Sequence, residues 1–192
     1  MDTKTICLGA LALGEASGYE IRKMFEDGPF AHFAQAAYGS IYPALTKLAE
    51  DGLVTCKSEA QEKRPDKKVY RLTPSGWDHL EHALQAKIPA EDKVRSDSLF
   101  VLFFTEWQRP DWIARVVDAR IDHYRSILDG MQHCIDREAA EPEHSCATTS
   151  QKLVRGFGHA VYQAAHDYLV ENRDAFIAAA GQRRNDRREA AE

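Results

Sequence analysis

Apolar residues recur at three- and four-residue steps through most of the chain, which is the spacing of side chains on one face of a helix. In the first half, this pattern predicts a helix over residues 3–14. Ser17 and Glu20 then stand at the spacing of a capping box, which predicts a second helix that ends at Gly28. The inner side chains predicted for these two helices are Ile6, Ala10, Leu11, Leu13, Ile21, Met24 and Phe25.

A third helix is predicted between Ser40, a good N-cap residue, and Gly52, which accepts the left-handed conformation past a C-cap. Pro43 fits if the helix begins just before it, because a first-turn N–H has no helical partner. The side chains predicted to point inward are Ile41, Leu45 and Leu48. Those predicted to point outward are Ser40, Tyr42, Thr46 and Lys47. This polar face with one cation suits insertion into a DNA groove, although most such faces are simply solvated.

Two short strands are predicted to follow the third helix, at Val54–Lys57 and at residues 67–72, with a polar loop over 58–66 that contains the turn signal Pro65-Asp66. Thr73 as N-cap and Pro74 at the first helical position predict a fourth helix. Its predicted inner face consists of Trp77, Leu80 and Leu84. The order of three helices, a two-stranded hairpin and a fourth helix predicts a winged helix-turn-helix, whose third helix can enter a major groove.

Charge along the chain supports local rather than general binding of nucleic acid. The 192 residues carry a formal net charge of −5, which excludes a generally basic nucleic-acid coat protein. The stretch from Lys57 to Arg71 nevertheless holds six basic residues against three acidic ones, a local charge of +3. A basic hairpin of this kind can contact the phosphates beside a groove that a helix has entered.

The second half of the chain is predicted to be a separate helical domain after a linker at residues 88–92. Long helical patterns over residues 110–138 and 150–178 predict an antiparallel hairpin, and residues 139–147 break the pattern between them. Such a hairpin exposes much apolar surface when alone, so we expect it to pair with a second copy. The predicted domains are 1–88 for DNA binding, 95–180 for dimerisation with a possible effector, and 181–192 as a flexible tail.

An aromatic cluster between the linker and the first long helix offers a candidate effector site or a core. An apolar effector bound between the two halves would meet these side chains, whereas the alternative is that they fill an interdomain or dimer core. The cluster consists of Phe100, Phe103, Phe104, Trp107 and Trp112.

Three motifs together resemble the PadR family of bacterial transcriptional regulators: Gly18-Tyr19-Glu20-Ile21, the run from Gly39 through Val54, and Tyr70 to Gly76. They cover about the first 80 residues, and the second half resembles the helical dimerisation domain of the larger subgroup by pattern only. The resemblance implies a mainly α homodimer that binds an operator, usually as a repressor, often released by a small hydrophobic or phenolic effector. It implies no cofactor. The DNA contacts it implies by position are Tyr19, Ser40, Tyr42, Lys47, Lys63, Arg64, Lys67 and Lys68.

Other readings of the same residues stay open. A redox sensor could use Cys56, Cys134 or Cys146, because neighbouring cations lower a thiol pKa. Metal could bind Glu143, His144 and Cys146, or His79 and His82, although no second cluster completes a tetrahedral site. A helical adaptor that does not bind DNA is a further alternative.

Enzymatic motifs and targeting segments are not apparent. The sequence has no nucleophile elbow, phosphate-binding glycine loop or zinc-protease helix, so no enzyme activity is expected. No apolar run approaches the roughly 20 residues of a membrane span. The apolar residues 6–13 could pass for a short signal-peptide core, but no strongly basic leader precedes them, and a buried first helix in a cytoplasmic protein is the prediction.

Overall fold

The computed structural model describes residues 2–31, 38–61, 64–89, 96–141 and 147–183. It divides into two compact units, Met1–Glu91 and Asp92–Glu192. The elements are α1 (Thr3–Leu11), β1 (Ala16–Ser17), α2 (Gly18–Glu26), α3 (Tyr38–Glu50), β2 (Val54–Gln61), β3 (Arg64–Leu72), α4 (Pro74–Gln85), α5 (Asp97–Phe103), a 3-10 turn (Thr105–Trp107), α6 (Pro110–Ala140) and α7 (Thr149–Ala179). The fold is mainly helical, with one small antiparallel sheet, as the sequence predicts.

Side-chain caps fix where the first two helices begin. Asp2 accepts the backbone N–H of Thr5 at 2.8 Å and starts α1. The capping box of Ser17 and Glu20 is present at the start of α2, as predicted. Helix α1 ends three residues earlier than predicted, and the expectation that Leu13 lies inside is wrong, because the chain has left the helix there and the side chain is exposed.

Helix α3 begins at Tyr38, so the prediction that Ser40 is its N-cap is wrong. The hydroxyl of Ser40 instead lies 3.0 Å from the hydroxyl of Thr3 in α1. Pro43 therefore sits in the second turn, where its missing N–H leaves the Gly39 carbonyl without a helical donor.

The end of α3 follows the prediction. Gly52 adopts a φ of 72° and donates to Ala49, while the N–H of Leu53 donates to Leu48 at 2.9 Å. These two bonds form a Schellman motif, in which the first residues past the helix satisfy its last carbonyls.

The sheet has the order β1-β3-β2 and longer hairpin strands than the sequence predicts. Backbone pairing between β2 and β3 continues past Ser58↔Lys68, with a register shift after Glu59, so most of the predicted loop is strand. Pro65 lies within β3 rather than in a turn. The two-residue β1, which the sequence does not predict, pairs only with Val69 and Tyr70. The β3 edge beside Pro65 therefore has no β1 partner and tolerates a residue without an N–H.

Helix α4 begins as predicted, with the Thr73 hydroxyl accepting from Gly76 N at 3.0 Å. The same hydroxyl donates to the Leu53 carbonyl at 3.0 Å, which joins α4 to the start of β2. Of its three predicted inner residues only Leu80 is buried; Trp77 and Leu84 are more than half exposed, so that part of the prediction is wrong.

One core fills the first unit and gathers apolar side chains from each of its helices and strands. Its fully buried members include three residues of α3 at helical spacing, which is why that helix shows one inner and one outer face. The core residues are Cys7, Leu8, Ala10, Leu11, Ala16, Ile21, Phe25, Ile41, Ala44, Leu45, Leu48, Val54, Tyr70, Leu72 and Leu80.

In the second unit, α6 and α7 run as a hairpin close to the predicted bounds. Two bidentate ion pairs cross it: Arg155 with Glu138, both bonds 2.8 Å, and Arg173 with Asp118 at 2.6 and 2.9 Å. The core of this unit consists of Leu102, Ile113, Val117, Ile121 and Leu169. Among the described residues, no helix has the length and apolar character to cross a membrane.

Candidate nucleic-acid interface

The outer face of α3 is open to solvent. Tyr42 is 54% exposed, and Thr46 and Lys47 are exposed beside it. The Thr46 hydroxyl donates to the Tyr42 carbonyl at 3.1 Å, so it is turned back onto its own helix. Ser40, predicted to point outward, is half-buried and bonded to α1. The exposed part of this face is therefore formed by a tyrosine ring, a methyl-bearing hydroxyl residue and an ammonium group.

Lys47 is held by carboxylates at the end of α3. Its Nζ lies 3.3 Å from Glu50 and 3.2 Å from Asp51, and Asp51 also accepts from Lys4 at 3.0 Å. The hydrogen bonds to Asp51 and Glu50 raise the pKa of Lys47, which keeps it cationic. Exposed ion pairs of this kind contribute little to stability, so a phosphate or a base edge can replace a carboxylate at low cost.

A glycine allows α2 to approach the Tyr42 ring. A Cβ on Gly18 would lie 2.6 Å from Cε1 of Tyr42, a distance that real contacts do not reach. Because the ring rests against the first residue of α2, its position is fixed by that helix. Tyr19, the next residue, is exposed in the first turn of α2, and the N-terminus of a helix favours an anion.

The hairpin of β2 and β3, called the wing here, has its cations placed differently from one another. Lys68 is exposed, whereas Lys67 is half-buried and its Nζ lies 2.9 Å from Oε1 of Glu20. Lys63 lies outside the described residues. The backbone of Arg64 starts β3, and its side chain is outside the described set. The structure thus brings Tyr19, Tyr42 and Lys47 together with the wing in one unit, but gives the two neighbouring lysines of β3 different surroundings.

Glu20 accepts three hydrogen bonds at once. Its Oε2 takes the Ser17 N–H and the Ser17 hydroxyl, both at 2.8 Å, and its other oxygen takes Lys67. The bond from the Ser17 N–H, followed by those from Lys67 and the Ser17 hydroxyl, lowers the pKa of Glu20 to about 2. This carboxylate therefore stays charged under all physiological conditions.

Residues 7–82 match the family model described as the transcriptional regulator PadR-like family. A curated relative, the negative transcriptional regulator PadR of Bacillus subtilis (strain 168), is 34% identical over 101 residues, which are 53% of this chain and 55% of the relative. Over its first unit, the chain is similar to the PadR-like family. The alignment spans only about half the length of that curated relative, and it leaves the rest of both chains unmatched.

Solved structures of the family share the fold over nearly the whole chain. The PadR-like transcriptional regulator BC1756 from Bacillus cereus has a TM-score of 0.74 at 26% identity, covering 92% of this chain and 96% of that one. Bacillus subtilis PadR in complex with operator DNA has a TM-score of 0.73 at 24% identity, covering 90% of this chain and 98% of that one. The fold of the second unit therefore also has a counterpart in these solved structures.

The predicted effector residues lie on the surface of the second unit. Phe103 is 82% exposed, and Phe104 forms the centre of the cluster, with ring centroids 5.2 Å from Phe100, 5.2 Å from Phe103 and 5.7 Å from Trp107. Trp112, on α6, is also exposed. Within this unit the rings form an apolar surface, and their effector role stays a prediction.

The cysteines of the redox hypothesis are spread over both units of the chain. Cys7 is buried, and burial raises the pKa of its thiol to about 12. Cys56 is exposed on β2, and Cys134 is half-buried on α6, in the other unit. Cys146 and its neighbours Glu143 and His144 lie outside the described residues. No three metal-ligating side chains converge anywhere in the described ranges, which contain His79 and His82.

The sequence predicts Glu20 as part of a helix cap but does not directly indicate its bond to Lys67. The two residues are 47 positions apart, so no spacing rule connects them. Thr3 was missed as the partner of Ser40 for the same reason. The sequence points to the Glu20–Lys67 bond only indirectly, through the capping box that fixes the position of the Glu20 carboxylate.

Proposed function

We propose that this chain is a sequence-specific DNA-binding transcriptional regulator that acts as a homodimer, most simply as a repressor. The observation that carries the proposal is the exposed outer face of α3, with Tyr42 and Lys47, next to a basic wing in a PadR-like unit. A helix of this kind reads base edges in the major groove, while wing cations bind the flanking phosphates.

The relatives support both the DNA and a phenolic ligand. Bacillus subtilis PadR has been solved with operator DNA, and the same protein with p-coumaric acid. We extend the first to this chain as a DNA operator and the second as a small hydrophobic or phenolic effector. Such an effector releases DNA only if it prefers one conformation of the protein. It must bind the conformation that does not fit the operator more tightly than it binds the conformation that does.

The exposed apolar surface of α7 supports the proposal of a dimer. Leu153, Phe157 and Val161 recur every four residues and are exposed, on a side of the helix away from the buried Leu169. A second copy would bury this stripe by symmetry. Two third helices then meet successive major grooves, about 34 Å apart, on an inverted-repeat operator.

The proposal is tested by titrating the protein with a labelled duplex from the region upstream of its own gene, with unrelated duplex as competitor. We expect preferential binding, with a steep fall in affinity as salt rises. Lys47→Gln should change sequence preference as well as strength, because base contacts carry specificity. Lys152→Gln, an exposed lysine of α7, is the matched control and should change neither.

The outcome also separates the alternatives. Binding of no duplex at any salt concentration would leave the adaptor hypothesis as the better explanation. Release of bound DNA by mild oxidant, abolished in Cys56→Ser or Cys134→Ser, would support the redox hypothesis instead. Release by p-coumaric acid, weakened in Phe103→Ala or Trp107→Ala, would support the effector assignment, and a panel of hydrophobic and phenolic compounds without release would contradict it.

A further inference from the structure

On the α2 side, the described contacts between the wing and the rest of its unit include the pairing with β1 and one ion pair. Strand β1 has two residues, and its pairing toward the wing tip stops at Ser17↔Val69. Two residues from Val69 toward the wing tip, Lys67 of β3 forms an ion pair with Glu20. Beyond Lys67, β3 continues to Arg64 paired with β2. The ion pair therefore lies on the wing-tip side of the last β1 pair.

Glu20 is itself rigidly placed. Its carboxylate is bonded to both the N–H and the hydroxyl of Ser17, and Ser17 is buried and paired to β3. A carboxylate held at one oxygen by the backbone offers the other oxygen in a fixed direction. Lys67 reaches that oxygen at 2.9 Å and is only one-third exposed, unlike its neighbour Lys68.

We propose that Glu20 and Lys67 are positioning residues that hold the wing against the start of α2, and that Lys68 rather than Lys67 contacts the DNA phosphates. The proposal rests on the proposed function and deepens it, because it separates two adjacent lysines into different roles. An amine that already bonds a fixed carboxylate releases few counterions from DNA, whereas an exposed amine that meets a phosphate releases about one.

The variant Glu20→Gln separates two effects of the Glu20 carboxylate: its repulsion of DNA and its positioning of the wing. Glutamine at this position can still form the capping box, so α2 keeps its start. The change removes a negative charge from the DNA-binding unit, and through charge alone it should tighten binding. A positioning role predicts the opposite, a threefold to tenfold weaker binding of the labelled upstream duplex. Glu26→Gln removes a carboxylate from the other end of the same helix and should not weaken binding.

The salt dependence of affinity assigns the lysines. We expect Lys68→Gln to lower the slope of log affinity against log salt by about 0.9, and Lys67→Gln to weaken binding with the slope unchanged. The double variant Glu20→Gln/Lys67→Gln should bind no more weakly than either single variant, because both remove the same contact. A slope lowered by Lys67→Gln, or additive losses in the double variant, would overturn the assignment.

Amide hydrogen exchange tests the contact without DNA. In the full-length protein, protection of β3 should fall equally in Glu20→Gln and Lys67→Gln, while α4 keeps its protection. Unchanged protection of β3 would overturn the positioning role. Wild-type protein that binds no duplex would overturn the proposed function instead, so the two failures are distinguishable.

Discussion

The two units use the same apolar periodicity to different ends. In α3 of the first unit, Ile41, Leu45 and Leu48 are fully buried in that unit's own core. In α7 of the second unit, Leu153 and Phe157 follow the same spacing but remain 70% and 73% exposed. Periodicity thus identifies an apolar face without saying what covers it. An apolar face that its own unit leaves exposed is typical of a surface that binds a second molecule.

The largest expected effect comes from a charge placed on that open face. Val161 and Val170 are both about half exposed on α7 (49% and 47%), but they are nine residues apart and so lie on opposite sides of the helix. We expect Val161→Asp to weaken dimerisation at least about 100-fold, since burying an unpaired carboxylate costs about 3 kcal/mol or more. Sedimentation measurements over a range of concentrations would report the change as a shift to monomer.

Val170→Asp is the control that makes this comparison decisive. It places the same charge on the same helix outside the stripe, and it should leave the dimer intact. If Val170→Asp dissociates the protein and Val161→Asp does not, then the wrong side of α7 has been assigned to the partner. If neither changes the mass, the open face is covered in some other way.

In the first unit, we expect the largest loss of stability from a substitution that crowds a backbone contact. A substitution on the surface should cost less. A Cβ on Gly76 would lie 2.0 Å from the carbonyl oxygen of Leu53, where Thr73 joins α4 to β2. Gly76→Ala should lower the free energy of unfolding by about 3 kcal/mol, because two backbone segments must separate.

Gly9→Ala in α1 is the matched change, since nothing lies within 4 Å of the added methyl group. It should be neutral or stabilising by up to about 1 kcal/mol, as alanine favours helix. Thermal unfolding of both variants measures the difference. Equal stability of the two variants would mean that the junction between α4 and β2 can relax, and that the first unit is less tightly packed than its core suggests.

Local signals in the sequence were sufficient for much of the fold. The caps at Ser17 and Thr73 and the C-terminal glycine at Gly52 each act within a few residues, and all three are where the sequence predicts them. The long helices α6 and α7 also start and end close to the predicted bounds, because their periodicity runs over many turns.

Features that depend on distant partners could not be predicted in this way. Ser40 lies inside α3 rather than at its N-cap, and its hydroxyl bonds Thr3, 37 residues away, a partner that no local pattern indicates. Strand β1 was missed because two residues carry no periodicity and exist as a strand only through β3. The exposure of Trp77 was missed because the helical spacing of α4 does not show how wide its covered face is.

A smaller effect is expected where α2 meets Tyr42. Gly18→Ala forces the Tyr42 ring to turn away, and because this ring is more than half exposed it can do so without disturbing the core. We therefore expect about tenfold weaker binding of the upstream duplex, or about 1.4 kcal/mol, with a change in melting temperature too small to explain it. Gly39→Ala, with no atom within 4 Å of the added methyl, is the control. Loss of stability in proportion to binding would place Tyr42 in the core instead.

The smallest expected effect is the contribution of the Glu20 charge to the free energy of unfolding. It can be measured through its dependence on pH. The pKa of Glu20 is lowered to about 2 from its ordinary value of 4.5, first by the Ser17 N–H and then by Lys67. Because the unfolded chain binds a proton more readily, the stability that Glu20 contributes is complete above pH 4.5 and is lost as the pH falls toward 2.

The free energy of unfolding of wild type should exceed that of Glu20→Gln near neutral pH by less than about 1 kcal/mol, since the carboxylate is nearly half exposed. The difference should shrink as the pH falls from 4.5 toward 2. Lys67→Gln removes only one of the causes, so it should move this loss to a higher pH without abolishing it. A difference that stays constant from neutral pH to pH 2 would mean that the ionised carboxylate does not hold the wing, and that the first unit keeps its wing in place through backbone pairing alone.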